Sequence, residues 1–189
     1  MAGCYSGLMR RRQPTLPPTL PDVWLVTDLR NDMRLEHALR RLPRGSGLVF
    51  RHYHLEPPAR RARFEALARI ARAYGHMVIL SGTPRQGLQW SATGAYGPPS
   101  RLANGAAMMR LVTANSLRKI AQAHRARADA ILLSPVHATR SHPGGKALGP
   151  VRFRLLARRA LVPVIALGGM NRHRARALRW KKWAAIDGI

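Results

Sequence analysis

Apolar residues in this chain come in short runs that end in turn residues. Between the runs they recur every three or four positions. Residues 130–133 (AILL) and 162–167 (VPVIAL) are two such runs, rich in Ile, Leu and Val. A strand buried on both faces reads this way, as in a parallel sheet, whereas a half-exposed strand alternates. Between them, 151–161 has helical spacing, with Phe153, Leu156 and Ala160 on one face and Arg152, Arg158 and Arg159 on the others. The sum is a β-α-β unit. The same alternation predicts strands at 23–27, 48–51, 76–80, 92–96, 110–113 and 183–186, and helices over 32–42, 57–74, 86–90, 98–107, 116–126 and 171–181. Leu35, Leu39 and Leu42 share one face of the first helix; Phe64, Leu67, Ile70, Ala71 and Tyr74 share one face of the second. Asn31 or Asp32 is the expected N-cap of the first helix, Asn115 or Ser116 of the fifth, and Asn171 of the last. The fourth strand is the weakest, being short with Gly94 inside it. Strand–helix alternation with short links argues for a parallel sheet. Eight such units argue for closure into a barrel, with a doubly wound open sheet as the competing architecture.

Composition changes the picture in three ways. Pro14, Pro17, Pro18 and Pro21 favour extended chain, so 1–21 reads as a flexible Pro/Arg-rich tail and 22–189 as one domain. The balance of 33 Lys+Arg against 8 Asp+Glu gives a formal charge of +25. Its Arg-Arg pairs, 40–41, 60–61 and 158–159, fall on helix faces and read first as an Arg-rich, solvated surface. A basic stripe with interleaved aromatics, the usual mark of a nucleic-acid protein, is missing. Attraction of anionic partners, from phosphorylated metabolites to RNA, is the second reading of the same charge. Cys4 is the only cysteine, which excludes an intrachain disulfide and a cysteine-based zinc site. The first segment lacks the apolar run of a signal peptide or membrane span, so a cytoplasmic protein without membrane contact is expected. Homo-oligomerisation is left open.

Two loops carry the candidate chemistry. Residues 136–149 form a long connection after the sixth strand, and long loops in compact domains tend to be functional. Gly168-Gly169 follows the seventh strand and precedes a helix. Bare backbone N–H groups there suit an anion, although a plain strand-to-helix turn would read the same. Taken together, Ser134-Pro135-Val136, Thr139-Arg140-Ser141-His142-Pro143-Gly144 and Gly168-Gly169-Met170 resemble the thiamine phosphate synthase and TenI-like superfamily of small TIM barrels. The resemblance spans about Val23 to Ile189. It implies a TIM (β/α)8-type barrel lacking the last helix, because the chain stops at Asp187-Gly188-Ile189 where the family continues into one. Strand 8 is then expected to be left partly uncovered, and Gly188 stands at the second backbone cradle for phosphate.

Carried over residue by residue, the resemblance implies the following. The synthases join a hydroxymethylpyrimidine diphosphate to a thiazole phosphate, releasing diphosphate. Their second strand ends Arg-x-Lys, which grips that diphosphate; here Arg51-His52-Tyr53 keeps the Arg and replaces the Lys. Thr139 and Ser141 match the two hydroxyl positions of the strand 6 loop. His142 stands where a Lys assists the leaving diphosphate, a role an imidazole fills only while protonated, and Lys146 can substitute. Gly168 and Gly169 match the thiazole-phosphate cradle. The family uses Mg2+, held by carboxylates after strands 3 and 4; here those loops read Ser81-Gly82 and Tyr96-Gly97-Pro98-Pro99-Ser100, with no acid. The general acid/base His of the tautomerases matches Asn115, which cannot shuttle a proton at neutral pH. The resemblance thus implies a synthase-type transferase with lost or reduced activity, Arg51 and His142 being its catalytic candidates. The alternative is a tautomerase-derived or non-catalytic binder of phosphorylated pyrimidines or thiazoles. His52 and His54 read as exposed strand residues, and a metal cluster of either with His137 and His142 lacks a short ligand pair and a supporting carboxylate. Trp180 and Trp183 read as packing residues.

Overall fold

In the computed structural model, which describes residues 19–139 and 146–187, every predicted apolar run becomes a strand. The strands β1 (Val23–Val26), β2 (Gly47–Phe50), β3 (Met77–Ser81), β4 (Gly94–Gly97), β5 (Met109–Ala114), β6 (Ala130–Leu133), β7 (Val164–Ala166) and β8 (Trp183–Ala185) pair in chain order and close into a barrel. All neighbours are parallel, and at the seam Val23, Trp24 and Leu25 stand opposite Trp183, Ala184 and Ala185. Closure leaves no unpaired sheet edge. The helices α1 (Leu35–Arg41), α2 (Pro57–Ala73), α3 (Pro84–Gln89), α4 (Pro99–Leu102), α5 (Leu117–Arg125), α6 (Gly149–Ala157) and α7 (Arg172–Leu178) follow the first seven strands. Among the described residues the architecture is a TIM barrel lacking one helix. Among the described residues no helix is long and apolar enough to cross a membrane.

The two-residue period of the strands divides the core. Inward positions, among them Trp24, Val49, Ile79, Leu111, Leu132 and Ile165, fill the barrel. Trp24 sits at its floor, its indole N–H donating to the Pro21 carbonyl at 2.9 Å. Its ring occupies the place of a missing side chain on β2: a Cβ at Gly47 would lie 2.1 Å from Trp24 Cε3. Outward positions of β1–β3 pack on Leu35, Leu39, Phe64 and Leu67. Those of β5–β8 pack on Ile120, Phe153, Leu156, Ala175 and Leu178.

Several predicted boundaries move, each for a local reason. The first helix is preceded by a 3-10 helix, Leu29–Arg34, capped by Asp28 rather than by Asn31 or Asp32. Asn31 is buried, and its amide donates to the carbonyls of Val26 at 3.0 Å and Ile186 at 2.7 Å, tying the ends of β1 and β8 together. The fourth strand begins at Gly94, and this glycine is a requirement rather than a weakness. A Cβ there would lie 2.5 Å from the Met109 carbonyl oxygen of β5. Among the described residues strand β8 is covered by its neighbours, where partial exposure was expected. Trp183 and Ala185 are 7 % and 2 % exposed, and they pack in one cluster with Ala175 and Leu178 of α7. The tail assignment falls largely on residues outside those described. Of its last residues, Pro21 is buried and Leu20 offers its carbonyl to Lys182 Nζ at 2.7 Å.

Candidate functional site

At the carboxyl ends of the strands the barrel opens into a cavity of ≈ 920 Å³. Ligands of parallel α/β barrels bind at this end, because the loops that follow the strands gather there. Of the residues singled out from sequence, Arg51, Asn115, Thr139, Lys146, Gly168 and Gly169 all line it. Ser141, His142 and Gly188 lie outside the described residues. Arg51 continues the inward side of β2 and lies with its guanidinium carbon 5.5 Å from the centroid of the Tyr53 ring.

The glycine pair is explained by close approach of two loops. Val136 N–H donates to Leu167 O at 2.9 Å and His137 N–H to Gly168 O at 3.0 Å, which zips the loop after β6 to the loop after β7. Gly168 has φ +93° and Gly169 φ +61°. A Cβ on Gly168 would lie 2.6 Å from Pro135 Cα, and one on Gly169 2.6 Å from the Ala138 carbonyl oxygen. The N–H groups of both glycines donate to no acceptor among the described residues. Asn171 caps α7 by accepting from Arg174 N–H at 2.8 Å, and the Arg174 side chain reaches back to the Gly169 carbonyl. Burial, reinforced by the Arg174 charge, holds the His137 pKa below its ordinary value.

Arg30, Tyr53, Tyr96, Arg174 and Asp187 also line the cavity, and the sequence alone assigned none of them a role there. Signals existed for three. Tyr53 follows Arg51 by two, Tyr96 is the inward residue after Gly94, and Arg174 lies one turn beyond a recognised N-cap. Arg30 is paired with Asp28 at 2.8 Å. Burial would raise the Asp28 pKa, but the hydrogen bonds and charge of Arg30, with Arg51 nearby, leave it lowered. Burial pushes the Tyr96 phenol up to about 12, so it stays neutral. The described lining therefore offers four cationic side chains, Arg30, Arg51, Lys146 and Arg174, against one carboxylate, Asp187.

The residues after β3 and β4 do not fit a magnesium ion. The Ser81 hydroxyl is hydrogen-bonded to the Tyr53 hydroxyl, and the Ser81 carbonyl accepts from Arg60 Nη2 at 2.7 Å. Arg60 also donates to the Arg51 carbonyl at 3.0 Å and lies over the rings of Phe50, Tyr53 and Trp90. A guanidinium thus occupies the end of β3 where the resemblance implies a carboxylate. Among the described residues no group of three or more His, Cys, Asp or Glu could hold a metal.

His54 is exposed as expected, but His52 is not: it is 1 % exposed. Its ring nitrogens are 2.7 Å from Thr27 Oγ1 and 2.8 Å from Asp32 Oδ1. Both ring nitrogens are therefore engaged by these two side chains. Trp180 and Trp183 pack as expected; Trp180 meets Phe153 edge to face at 5.0 Å and donates to Val164 O.

Comparison with known proteins agrees with this geometry. The thiamine monophosphate synthase (TMP-TenI) family model matches residues 23–189. Among solved structures, thiamine phosphate pyrophosphorylase from Pyrococcus furiosus is similar at 18 % identity and TM-score 0.72, over 86 % of this chain and 84 % of that one. The Bacteroides thetaiotaomicron thiamine phosphate pyrophosphorylase is similar at 13 % identity and TM-score 0.54, over 88 % of this chain and 82 % of that one. A HpcH/HpaI aldolase/citrate lyase family protein from Burkholderia cenocepacia is similar at 14 % and 0.58, over 88 % of both chains. No curated protein matches the sequence. Likenesses of this identity establish the fold alone; it is the family model, covering the whole barrel, by which the chain belongs to the thiamine monophosphate synthase family.

Proposed function

We propose that the barrel mouth binds the phosphorylated substrates of its family and supports little of their magnesium-assisted coupling. The thiazole phosphate would lie against Gly168 and Gly169, with Arg174 and Lys146 beside it, and the pyrimidine diphosphate around Arg51. One observation carries the reading. Arg51, Lys146, Arg174 and the Gly168-Gly169 pair line the mouth, while the loops after β3 and β4 offer Ser81, Gly82, Pro99 and Ser100 with Arg60 bonded to the Ser81 carbonyl. Four cations in a concave, partly desolvated mouth concentrate an anionic ligand. Guanidinium and ammonium groups neutralise part of a diphosphate's charge, but they do not bridge its oxygens as a divalent ion does. Asn115 in the lining favours a binder over the tautomerase branch, because an amide is no proton shuttle.

The test is a coupling assay with and without magnesium, on the unmodified protein and a G82D/S100D variant. Both substitutions fit. A Cβ at Gly82 meets first the flexible amide tip of Gln86, and Ser100 is exposed. The expected result is negligible turnover by the unmodified protein, with thiazole phosphate raising its melting temperature. Magnesium-dependent turnover in the double variant would mean that both substrates still bind and only the metal was lost. Brisk turnover by the unmodified protein refutes the assignment of a lost metal site. Absence of any thermal shift with thiazole phosphate removes the ligand reading.

A further inference from the structure

Behind the mouth lies a chain of polar groups that the family reaction does not account for. Arg51 N–H donates to Thr27 Oγ1 at 2.8 Å. The same oxygen is 2.7 Å from His52 Nδ1, and His52 Nε2 is 2.8 Å from Asp32 Oδ1. Asp32 in turn holds Arg63, at 2.7 Å, which is also paired with Glu36. Five elements meet here: the ends of β1 and β2, the 3-10 helix, α1 and α2. His52 adopts φ +32°, a conformation that a non-glycine residue holds only when its surroundings impose it. Its ring stacks on Phe50 at 4.8 Å and faces His54 at 5.0 Å.

Hydrogen-bond bookkeeping fixes the direction of the chain. A neutral imidazole has one donor and one acceptor nitrogen. Asp32 only accepts, so Nε2 carries the proton and Nδ1 accepts from the Thr27 hydroxyl. The hydroxyl oxygen is then free to accept from Arg51 N–H, and every group is satisfied. Burial lowers the His52 pKa, which the Asp32 hydrogen bond opposes in part and the charges of His54 and Arg63 reinforce, in keeping with this neutral form. A doubly protonated ring would give Thr27 a second donor and leave its own hydroxyl proton without an acceptor among these groups.

We infer that Thr27 and His52 are positioning residues for Arg51: the Asp32-anchored imidazole orients the Thr27 hydroxyl, which holds the Arg51 backbone so that its side chain faces an anion in the mouth. The inference rests on the reading of the mouth as an anion site. Without the hydroxyl, Arg51 N–H and His52 Nδ1 are both left unpaired in a buried place, and the end of β2 must shift to satisfy them.

The probe is inorganic pyrophosphate, titrated calorimetrically at pH 7.5 into wild type, T27V, T27S and H52N. Thr27→Val keeps the shape and removes the hydroxyl; Thr27→Ser restores it; Asn tolerates the left-handed backbone at position 52. T27V is expected to bind about tenfold more weakly, and T27S to recover affinity to within about twofold of wild type. Imidazole 15N spectra supply a readout that loss of stability alone would not move. In wild type, His52 should show a protonated Nε2 and a bare Nδ1, and T27V should shift the Nδ1 signal without shifting those of His54. Unchanged affinity in T27V and H52N, with wild type binding normally, overturns this inference alone, as does a proton on Nδ1 at pH 7.5. A wild-type protein that binds no pyrophosphate overturns both this inference and the reading of the mouth on which it rests.

Discussion

Substituting Gly168 by Ala tests whether the loop after β7 is held by backbone geometry and close packing together. Gly168 has φ +93°, and an added Cβ would lie 2.6 Å from both Cα and Cβ of Pro135 and 3.2 Å from Val136 N. An ordinary carbon contact is about 3.5–4.0 Å, so one loop must move by most of an ångström. The obstacle is backbone rather than the tip of a flexible side chain, and that backbone is zipped to β7 through Val136 N–H and His137 N–H. The left-handed conformation costs an Ala about 1–2 kcal/mol, and forced overpacking adds about 1–3 kcal/mol. The expected loss is therefore about 2–5 kcal/mol, a large share of the roughly 5–15 kcal/mol that hold a domain folded. Gly75 supplies the control. It has φ +71° with no atom within 4 Å of the added Cβ, so Gly75→Ala should lose only the backbone part, about 1 kcal/mol. Urea unfolding followed by tryptophan fluorescence, with equal m-values required, measures both. Thiazole phosphate titration of the folded fraction should show binding lost in G168A and kept in G75A. If the two variants lose the same stability, the packing argument is wrong and the loops are looser than their contacts imply.

Two further outcomes follow from the core and the polar network. Gly47→Ala drives a Cβ to 2.1 Å from Trp24 Cε3 inside the barrel, so it should lose about 3 kcal/mol or more. Trp24→Leu should relieve part of that, with a coupling of about 1–3 kcal/mol in a double-mutant cycle, and strict additivity would show that the ring swings aside freely. The pH dependence has a fixed sign. The folded His52 pKa is lowered, so its contribution is complete above the unfolded value near 6.5 and is lost as pH falls toward the folded pKa. For Asp32, burial raises the pKa but its bonds to His52 and Arg63 outweigh it, and for Glu36 the Arg63 bond dominates. Both are lowered, so their contributions persist above about 4 and are lost below that. Melting temperature from pH 8 to 3 should fall in two stages, and H52N should shrink the first to the part that His137, whose pKa is also lowered, contributes; a flat wild-type profile between pH 7 and 5 would contradict the wiring of His52.

The pattern of the sequence determined a parallel sheet alternating with helices and left an open sheet in competition; the family resemblance decided for the barrel. Short Val/Ile/Leu runs ending in turn residues read as strands buried on both faces, and the three-to-four spacing of Leu35, Leu39, Phe64, Leu67, Phe153 and Leu156 states which helix faces meet them. A glycine pair before a helix was a local signal for Gly168 and Gly169, whereas Arg51, Thr139 and Lys146 were marked only by the family resemblance. Tertiary structure alone decided which distant groups meet. His52 looked solvated because its neighbours in the chain are polar, whereas its partners Thr27 and Asp32 come from 25 and 20 residues away. Arg30, in the 3-10 helix after β1, and Arg174, in α7 after β7, share the mouth only because β8 closes the barrel between β7 and β1. Gly94 looked like a weak point in a strand until β5 was seen to pass 2.5 Å from where its Cβ would be. Periodicity records which face of an element is buried; register across a closed sheet records what it is buried against, and only the second assembles a site.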